Sequence, residues 1–251
     1  MIYVMSDIHG NLRRFNSIME QIDLTANDTL YVLGDVIDRY PDGIKILRKL
    51  MTMQNVKMIM GNHEYMMLDV LYRNDTGLST KEQYKHNQRI LLWYDNGGLV
   101  THNYLKHIKK SVRAEIFSHL KSLPVNIDIT VNGINYKLVH AAPEEMYYDF
   151  QSTRYRDSRE FSVWHRLGVK EDIPGEYTLI FGHTPSYHYS RSMPMRIYCK
   201  RHLICIDCGA GTPERMDYRN GFCYGRLACL RLDDMKEFYS EESDEYEKLL
   251  L

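Results

Sequence analysis

The 251-residue sequence lacks most of the features that would assign it to a specialised class of protein. It contains no apolar run near the ~18 residues that a membrane-spanning helix requires. Its 15 glycines and 7 prolines, beside 12% aromatic residues, exclude a collagen-like or disordered chain. No basic segment opens the chain and Asp7 interrupts its first apolar stretch, so we expect no secretory signal.

Cysteine is scarce, and neither sign of charge dominates. The five cysteines are odd in number and lie in the last quarter of the chain, which favours reduced thiols in the cytoplasm over a disulfide framework. A zinc–thiolate site is the weaker alternative, since the spacing of Cys223 and Cys229 does not fit a zinc ribbon. With 32 basic and 33 acidic residues the net charge is −1, which argues against a nucleic acid or a membrane as partner.

Acidic residues are concentrated in the last 19 residues of the sequence. Between residues 233 and 248 there are eight acidic residues and two lysines. We interpret residues 233–251 as a solvent-exposed, partly frayed acidic tail. An intramolecular cover for a basic site is the alternative.

The first 70 residues repeat one pattern three times: a short apolar run, a polar loop and a helical segment. The apolar runs occupy residues 2–6, 29–33 and 56–60, and apolar residues at helical spacing follow at residues 11–22 and after Pro41. Three such units indicate an α/β layered sheet. Each polar loop then follows the carboxyl end of a strand, where open α/β sheets bind ligands.

The middle of the sequence differs, because strand-like runs are missing from about residue 64 to residue 123. Residues 84–94 and 111–123 have helical periodicity, and Gly97-Gly98 separates them. We predict a helical insertion, here called the cap, over about residues 64–123.

Strand-like runs return after the cap. Asn132-Gly133 is a strong hairpin signal between the runs at residues 125–131 and 134–140. Further strands are predicted at residues 178–181, 203–206 and 222–232. Because no internal repeat or low-complexity linker interrupts the chain, we predict a single domain over residues 1–251.

Side chains that bind metal ions follow five of these strands. They are carboxylates, one amide and histidines: Asp7, His9, Asp35, Asn62, His63, His140 and His183. Such donors suit Mn²⁺, Fe or Zn²⁺, and they are too many for one tetrahedral ion. Two ions sharing a carboxylate would use them, and such a pair stabilises both the entering and the leaving oxygen in displacement at phosphorus. Each residue alone would indicate only a turn or a structural histidine, so the interpretation depends on their concurrence.

Three motifs resemble those of a known family. Asp7-x-His9-Gly10, Gly34-Asp35-x-x-Asp38-Arg39 and Gly61-Asn62-His63-Glu64 are similar in sequence and spacing to the phosphoesterase motif of calcineurin-like metallophosphatases. Motifs at residues 139–141, 182–185 and 206–210 resemble one branch, which holds the bacterial serine/threonine protein phosphatases and the symmetrical diadenosine tetraphosphatases. The resemblance extends from residue 6 to about residue 232 and is weakest across the cap. It implies an α/β fold of the layered α/β/β/α sandwich type, the metallophosphoesterase fold.

The resemblance also implies a cofactor of two divalent ions, with Mn²⁺ expected and Fe or Zn²⁺ as alternatives. Asp7 and His9 would hold the first ion, and Asp35 would bridge to the second. The second ion would be completed by Asn62, His140 and His183. Pro185 stands where nucleases of this superfamily carry a second histidine, so the phosphatase branch is favoured over a nuclease.

For catalysis, the resemblance implies in-line attack on phosphorus by a hydroxide that bridges the two ions, without a phosphoenzyme. His63 would be the general acid, oriented by Asp38, and Arg39 would bind phosphate oxygens. A second phosphate-binding arginine is expected in a Trp-x-Arg pattern, which selects Arg166. The alternatives to it are Arg154, Arg156 and Arg159.

These motifs leave the substrate open. We favour a serine/threonine phosphoprotein phosphatase that also hydrolyses small phosphomonoesters, so the expected partner is a phosphorylated protein or a small phosphorylated compound. The alternative is a hydrolase of dinucleoside polyphosphates such as diadenosine tetraphosphate, and a non-catalytic phosphate-binding protein is a remote third. Residues 186–202 contain four basic residues and three tyrosines that could bind adenine and additional phosphates. We favour instead a hairpin whose tyrosines pack on the core.

Overall fold

A computed structural model describes residues 1–72, 79–150, 154–168, 173, 175–192, 194–212, 216–218, 221–223 and 225–240. Its strands are β1 (Ile2–Met5), β2 (Thr29–Val32), β3 (Val56–Met58), β4 (Asn126–Val131), β5 (Ile134–Val139), β6 (Thr178–Phe181), β7 (Tyr198–Lys200), β8 (Leu203–Cys205), β9 (Met216–Tyr218), β10 (Gly221–Cys223), β11 (Ala228–Arg231) and β12 (Lys236–Tyr239). Its helices are α1 (Leu12–Ile22), α2 (Gly43–Thr52), α3 (Asn62–Leu71), α4 (Thr80–Asp95), α5 (Leu99–Lys106), α6 (Lys110–Ser122), α7 (Met146–Phe150) and α8 (Ser158–Trp164), and Ser186–His188 forms a 3₁₀ turn.

The first sheet has the strand order β12-β11-β1-β2-β3. Strands β1, β2 and β3 are parallel, and β11 pairs with β1 in the antiparallel direction. Successive residues of a strand face opposite sides of a sheet. Tyr3 and Met5 therefore pack with the apolar side chains of α1 and α2, such as Phe15, while Val4 faces the second sheet. The helical spacing of apolar residues in the sequence marks the face that α1 buries.

The second sheet has the order β4-β5-β6-β8-β7, with β5, β6 and β8 parallel. One face, including Leu138 and Ile180, packs against Val4 and its neighbours in the first sheet. The opposite face, including Phe181, packs against Phe161 of α8. Helices thus cover both outer faces of two stacked sheets, which confirms the predicted α/β/β/α sandwich. The described residues include no helix long and apolar enough to cross a membrane.

The helices of the cap agree with the prediction except for the start of the first one, α3. Helix α4 ends and α5 begins around Gly97-Gly98, as predicted, and α6 follows. Helix α3 begins at Asn62, two residues before the predicted start of the cap, so that the third motif lies in a first helical turn. The polar residues of its first turn are buried together with Met66, Met67 and Val70. The sequence of α3 therefore lacks the regular spacing of apolar and polar residues that marks an amphipathic helix.

The C-terminal region departs from the sequence prediction in two places. The strand predicted over residues 222–232 consists of two strands, β10 and β11, that belong to different sheets. Residues 236–239, expected in the frayed tail, form β12 and pair with β11. The reason is Phe238, whose ring is buried and has its centroid 6.1 Å from that of the Tyr3 ring. Lys236 and Glu237 face solvent. Residues 241–251 lie outside the described residues, and the organisation as one domain stays a prediction.

Candidate metal centre and active site

The carboxyl ends of the parallel strands bring the predicted ligands together. They follow strands of both sheets: Asp7 and His9 after β1, Asp35 after β2, Asn62 after β3, His140 after β5 and His183 after β6. All six side chains are buried. The Nε2 atom of His140 lies 3.5 Å from Oδ2 of Asp35, so the two sheets contribute to one site.

Asp35 lies at the centre of this site. Its Oδ2 atom is 3.7 Å from His9 Nε2, 3.8 Å from His63 Nε2 and 3.5 Å from His140 Nε2. These separations are longer than hydrogen bonds and match the ~3–4 Å between donors that share an ion at ~2.1 Å. Two groups of donors could hold a metal, one of Asp35 with His9 and His63, the other of Asp35 with His140 and His183. Asp35 belongs to both, which is the geometry that a bridging carboxylate requires.

Backbone carbonyl groups orient the histidine rings. The acceptors are the oxygens of Ile37, Leu33 and Trp164, at 3.2, 2.7 and 3.2 Å from His9 Nδ1, His140 Nδ1 and His183 Nε2. In the tautomer whose N–H donates to the carbonyl, the other nitrogen of each neutral ring offers its lone pair to the centre of the site. Metal-binding histidines have this arrangement.

Asn62 shows why a cation fits here. Its Oδ1 atom is 2.9 Å from His140 Nε2 and 2.9 Å from His183 Nδ1. With both ring protons directed at carbonyl groups, these are three acceptor atoms facing one another. Because acceptors repel unless a positive group lies between them, the arrangement is suited to a metal ion.

Burial disfavours the charged forms of these donors. Burial lowers the pKa of His9 and of His183 well below the ordinary range, and neighbouring cationic groups add to the effect. Burial raises the pKa of the Asp7 carboxyl well above its ordinary range, and the charges of Asp207 and Asp35 add to that. A divalent cation binds neutral histidines, and it would also supply the positive charge that the buried Asp7 carboxylate lacks.

His63 and Asp38 form a buried pair beside these donors. His63 Nδ1 and Asp38 Oδ2 are 2.8 Å apart, and both side chains are 0% exposed. Burial opposes protonation of His63, yet the charges of Asp35 and Asp38 raise its pKa above the ordinary value. The second ring nitrogen, Nε2, lies 3.4 Å from Arg39 Nη2. Because a guanidinium can only donate, this contact is made by the unprotonated Nε2. When His63 is protonated, its Nε2 N–H has no acceptor in Arg39 and can serve as an acid toward a bound substrate.

The comparison with known proteins agrees with this geometry. A family described as calcineurin-like phosphoesterase matches residues 1–204. The chain belongs to that family. Two bacterial relatives are similar over most of their length. Serine/threonine-protein phosphatase 2 of Escherichia coli (strain K12) is 25% identical, and the match covers 86% of this chain and 91% of that protein. The symmetrical bis(5'-nucleosyl)-tetraphosphatase of Proteus mirabilis (strain HI4320) is 34% identical, and the match covers 94% of this chain and 96% of that protein.

Solved structures have the same fold. A metallophosphoesterase from Sphaerobacter thermophilus superposes with a TM-score of 0.52 at 16% identity, and the match covers 96% of this chain and 89% of that one. The predicted family is thus confirmed, and this calcineurin-like phosphoesterase is a metal-dependent phosphoric ester hydrolase.

Two arginines flank the phosphoesterase centre. Arg39 is exposed beside an open pocket of about 430 Å³ that Tyr40, Asp95 and Asn96 help to line. Arg166 donates from Nη1 to the carbonyl oxygen of His183 and to Thr184 Oγ1, each at 3.0 Å. Both guanidinium groups are therefore close enough to the donor clusters to contact a phosphate there.

The alternatives to Arg166 make other contacts. Arg156 forms ion pairs with Asp69 at 3.2 Å and with Glu160 at 3.1 Å. Arg159 donates to the carbonyl oxygen of Leu123 at 2.9 Å, and Arg154 lies over the Tyr155 ring. Arg166 is thus favoured over Arg156 and Arg159 by its contact with a predicted metal ligand.

Glu64 has a positioning role that sequence reasoning missed. Its carboxylate accepts hydrogen bonds from the backbone N–H groups of Asp35 and Val36, both at 2.8 Å, and of Ile37 and Gly61. Burial and the charge of Asp35 raise its pKa to about 7. Glu64 thereby fixes the loop that carries Asp35, and the motif offered the signal, because it ends in an acidic residue directly after His63.

Replacing Glu64 with alanine is expected to lower the free energy of unfolding by at least about 3 kcal/mol, because buried N–H groups lose their acceptor. Urea denaturation of the purified variant measures this change. Glu20→Ala, an exposed change on α1, is the control and should have little effect. Equal stability of the two variants would contradict the positioning role.

The basic and aromatic segment at residues 186–202 uses its tyrosines for packing. Tyr189 stacks on Tyr198 at 5.3 Å between ring centroids and donates to the Leu167 carbonyl oxygen at 2.8 Å. Tyr187 packs on the core cluster between the sheets. The favoured interpretation of this segment therefore agrees with the structure. Residue 193 lies outside the described residues.

The four cysteines described with their side chains, Cys199, Cys205, Cys208 and Cys229, are free thiols. Only Cys199 is exposed. In the part of the chain that the structure describes, the groups that could hold a metal contain no cysteine. The weaker alternative of a zinc–thiolate site has no support among them.

Proposed function

We propose that the protein is a phosphatase that uses two divalent ions to hydrolyse phosphomonoesters, with phosphoserine and phosphothreonine in proteins as its substrates. The observation that carries the proposal is the sharing of Asp35 by two groups of donors. His63 belongs to one group by distance, but we assign it to proton transfer because Asp38 holds its Nδ1 atom. Asp7, whose Oδ1 lies 3.9 Å from His9 Nε2, is the proposed ligand in its place. The Escherichia coli relative named serine/threonine-protein phosphatase 2 supports the substrate class.

A symmetrical dinucleoside tetraphosphatase is the second candidate function. The 34% identity to the Proteus mirabilis relative of that name favours it. The tyrosines of residues 186–202 do not favour it, because Tyr189 packs against both Tyr198 and Phe181 and Tyr187 packs on the core. A phosphoprotein therefore remains the preferred partner.

The proposed ligands fall into two sets. Asp7, His9 and Asp35 would hold one ion, and Asp35, Asn62, His140 and His183 would hold the other. We propose Mn²⁺ for both, since carboxylate, amide and imidazole donors suit it, as they also suit Fe and Zn²⁺. When bound, the ions supply Lewis-acid stabilisation of the phosphate and a water molecule activated at neutral pH.

The remaining residues bind the phosphate and move one proton. Arg39 and Arg166 would bind phosphate oxygens and compensate the charge that develops on them. His63 would donate the proton on Nε2 to the leaving oxygen, so that an alcohol departs instead of an alkoxide. Asp38 keeps the proton on Nδ1 hydrogen-bonded, which holds the ring in the required tautomer.

One assay tests the proposed substrate. Metal-stripped protein receives Mn²⁺ and is offered a phosphothreonine peptide and diadenosine tetraphosphate in parallel. We expect faster hydrolysis of the peptide. Preference for the dinucleotide would select the second candidate, and no hydrolysis of either by metal-loaded protein would support a non-catalytic phosphate-binding protein.

The assignment of Arg166 predicts a loss of substrate binding. Arg166→Ala is expected to lower kcat/KM for p-nitrophenyl phosphate by about 10- to 100-fold, because a charge-assisted contact to phosphate is lost. Steady-state kinetics measure the effect. Arg159→Ala is the matched control and should change kcat/KM by less than about twofold. Equal values for the two variants would remove Arg166 from the proposed site.

We further propose that the protein acts in the cytoplasm. Three buried cysteines and the exposed Cys199 are all free thiols, which is typical of a reducing compartment.

A further inference from the structure

The cap contributes one side chain to the buried pair described above. The indole Nε1 of Trp93, on α4, donates a hydrogen bond to Asp38 Oδ2 at 2.8 Å. The same oxygen accepts the hydrogen bond of His63 Nδ1, also at 2.8 Å. The side chains of Trp93, Asp38 and His63 are all 0% exposed. We propose that Trp93 is a positioning residue, which holds Asp38 in the orientation that directs His63 toward the leaving oxygen.

Asp38 depends on this contact because its other oxygen has none. Among the described residues, Asp38 Oδ1 is buried and lacks a hydrogen-bond partner. The carboxylate is therefore held at one oxygen alone, by Trp93 and His63. Without the indole N–H, the carboxylate group is free to turn, and His63 loses the fixed acceptor that sets its ring orientation.

The backbone of the cap supports the same loop. The N–H of Asp38 donates to Thr101 Oγ1 at 3.0 Å, and the N–H of Arg39 donates to the Gly97 carbonyl oxygen at 3.1 Å. Asp38 and Arg39 have left-handed φ values of 71° and 66°, which are unfavourable unless neighbouring contacts fix them. A Cβ at Gly97, whose φ is 93°, would lie 3.0 Å from the Arg39 backbone. Contacts from residues 93–101 thus determine where both side chains point.

Trp93 itself is held in one orientation. The His102 ring stacks on it with 5.6 Å between centroids and 26° between planes. The ring also belongs to the core cluster that contains the helices of the cap. Phenylalanine keeps most of this packing and removes the N–H group, so Trp93→Phe separates positioning from packing.

This inference depends on the proposed phosphatase function, and leaving-group dependence tests it. Phenyl phosphate needs a proton on its leaving oxygen, whereas p-nitrophenyl phosphate leaves readily without one. For Trp93→Phe we expect kcat to fall about tenfold on phenyl phosphate and less than about twofold on p-nitrophenyl phosphate, with metal content unchanged. Tyr84→Phe, which removes an exposed hydroxyl on the same helix as Trp93, is the matched control and should behave as wild type.

A double variant distinguishes positioning from a general structural effect. When His63 is already asparagine, Trp93→Phe should cause no further loss, because Asp38 then has no ring to orient. Equal loss on the two esters, no loss on either, or an additive loss in the double variant would overturn the inference.

Nuclear magnetic resonance provides a readout other than activity. The chain has two tryptophans, so a ¹⁵N-labelled protein gives two indole N–H signals, and Trp93→Phe identifies one. We expect this signal to exchange slowly with solvent and to shift strongly in Asp38→Asn; an unchanged signal would overturn the contact. Wild-type protein that binds the metals and hydrolyses neither ester would overturn the proposed function, and this inference with it.

Discussion

Asp35→Asn is expected to lower the metal content of the protein from about two ions per chain to below one. The same change should reduce kcat by about 10³-fold. The physical reason is that Asp35 Oδ2 belongs to both groups of donors, so both lose their shared anionic oxygen when the carboxylate becomes an amide. Elemental analysis after dialysis measures the bound metal, and hydrolysis of p-nitrophenyl phosphate measures kcat.

Asp23→Asn is a suitable control for this experiment. Asp23 is exposed and has the same left-handed backbone as Asp35, with φ of 42° against 53°. Asparagine tolerates that conformation, so the control reproduces the chemical change without the buried site. Retention of two ions by Asp35→Asn would show that the shared oxygen does not bridge the ions.

His63→Asn should reduce turnover in a way that depends on the leaving group. We expect kcat on phenyl phosphate to fall by about 10²- to 10⁴-fold, and the fall on p-nitrophenyl phosphate to be far smaller. Both metals should remain bound, because His63 is proposed as an acid and not as a ligand. Parallel steady-state assays and metal analysis test this, and an equal loss on both esters would refute the role.

The same residue predicts a pH dependence. Against the effect of burial, the charges of Asp35 and Asp38 raise the pKa of His63 above its ordinary value of 6.5. In the metal-loaded protein the ions would offset the charge of Asp35, while the hydrogen bond to Asp38 continues to favour protonated His63. We therefore expect kcat on phenyl phosphate to fall as pH rises through the pKa of His63. His63→Asn should lose this limb of the pH profile; a variant that keeps it would assign the limb to another group.

Much of the fold and the clustering of the candidate ligands could be predicted from the sequence, because both depend on local patterns. Short apolar runs gave β1, β2 and β3, and polar residues at their ends indicated the edge where ligands meet. The Asn132-Gly133 turn placed β4 and β5, whose pairing ends with Val131 opposite Ile134.

The remaining features depend on contacts between distant residues. Phe238 lies in a short segment rich in acidic residues, and the segment becomes β12 because it pairs with β11. Trp93 meets Asp38 across 55 positions of the chain, and Glu64 meets the Asp35 N–H across 29. Such distant pairs leave no periodic pattern in a short stretch of sequence. The sequence therefore predicted no role for the cap in the site.

The pairing of β1 with β11 has a consequence for biosynthesis. Tyr3 pairs with Arg231, so one edge of β1 stays open until nearly the whole described chain has been synthesised. Such a high contact order slows folding, and an open strand edge can pair with another chain in the meantime. In a chain that emerges from its N-terminus, this edge of the first sheet is therefore completed only after β11 has been synthesised.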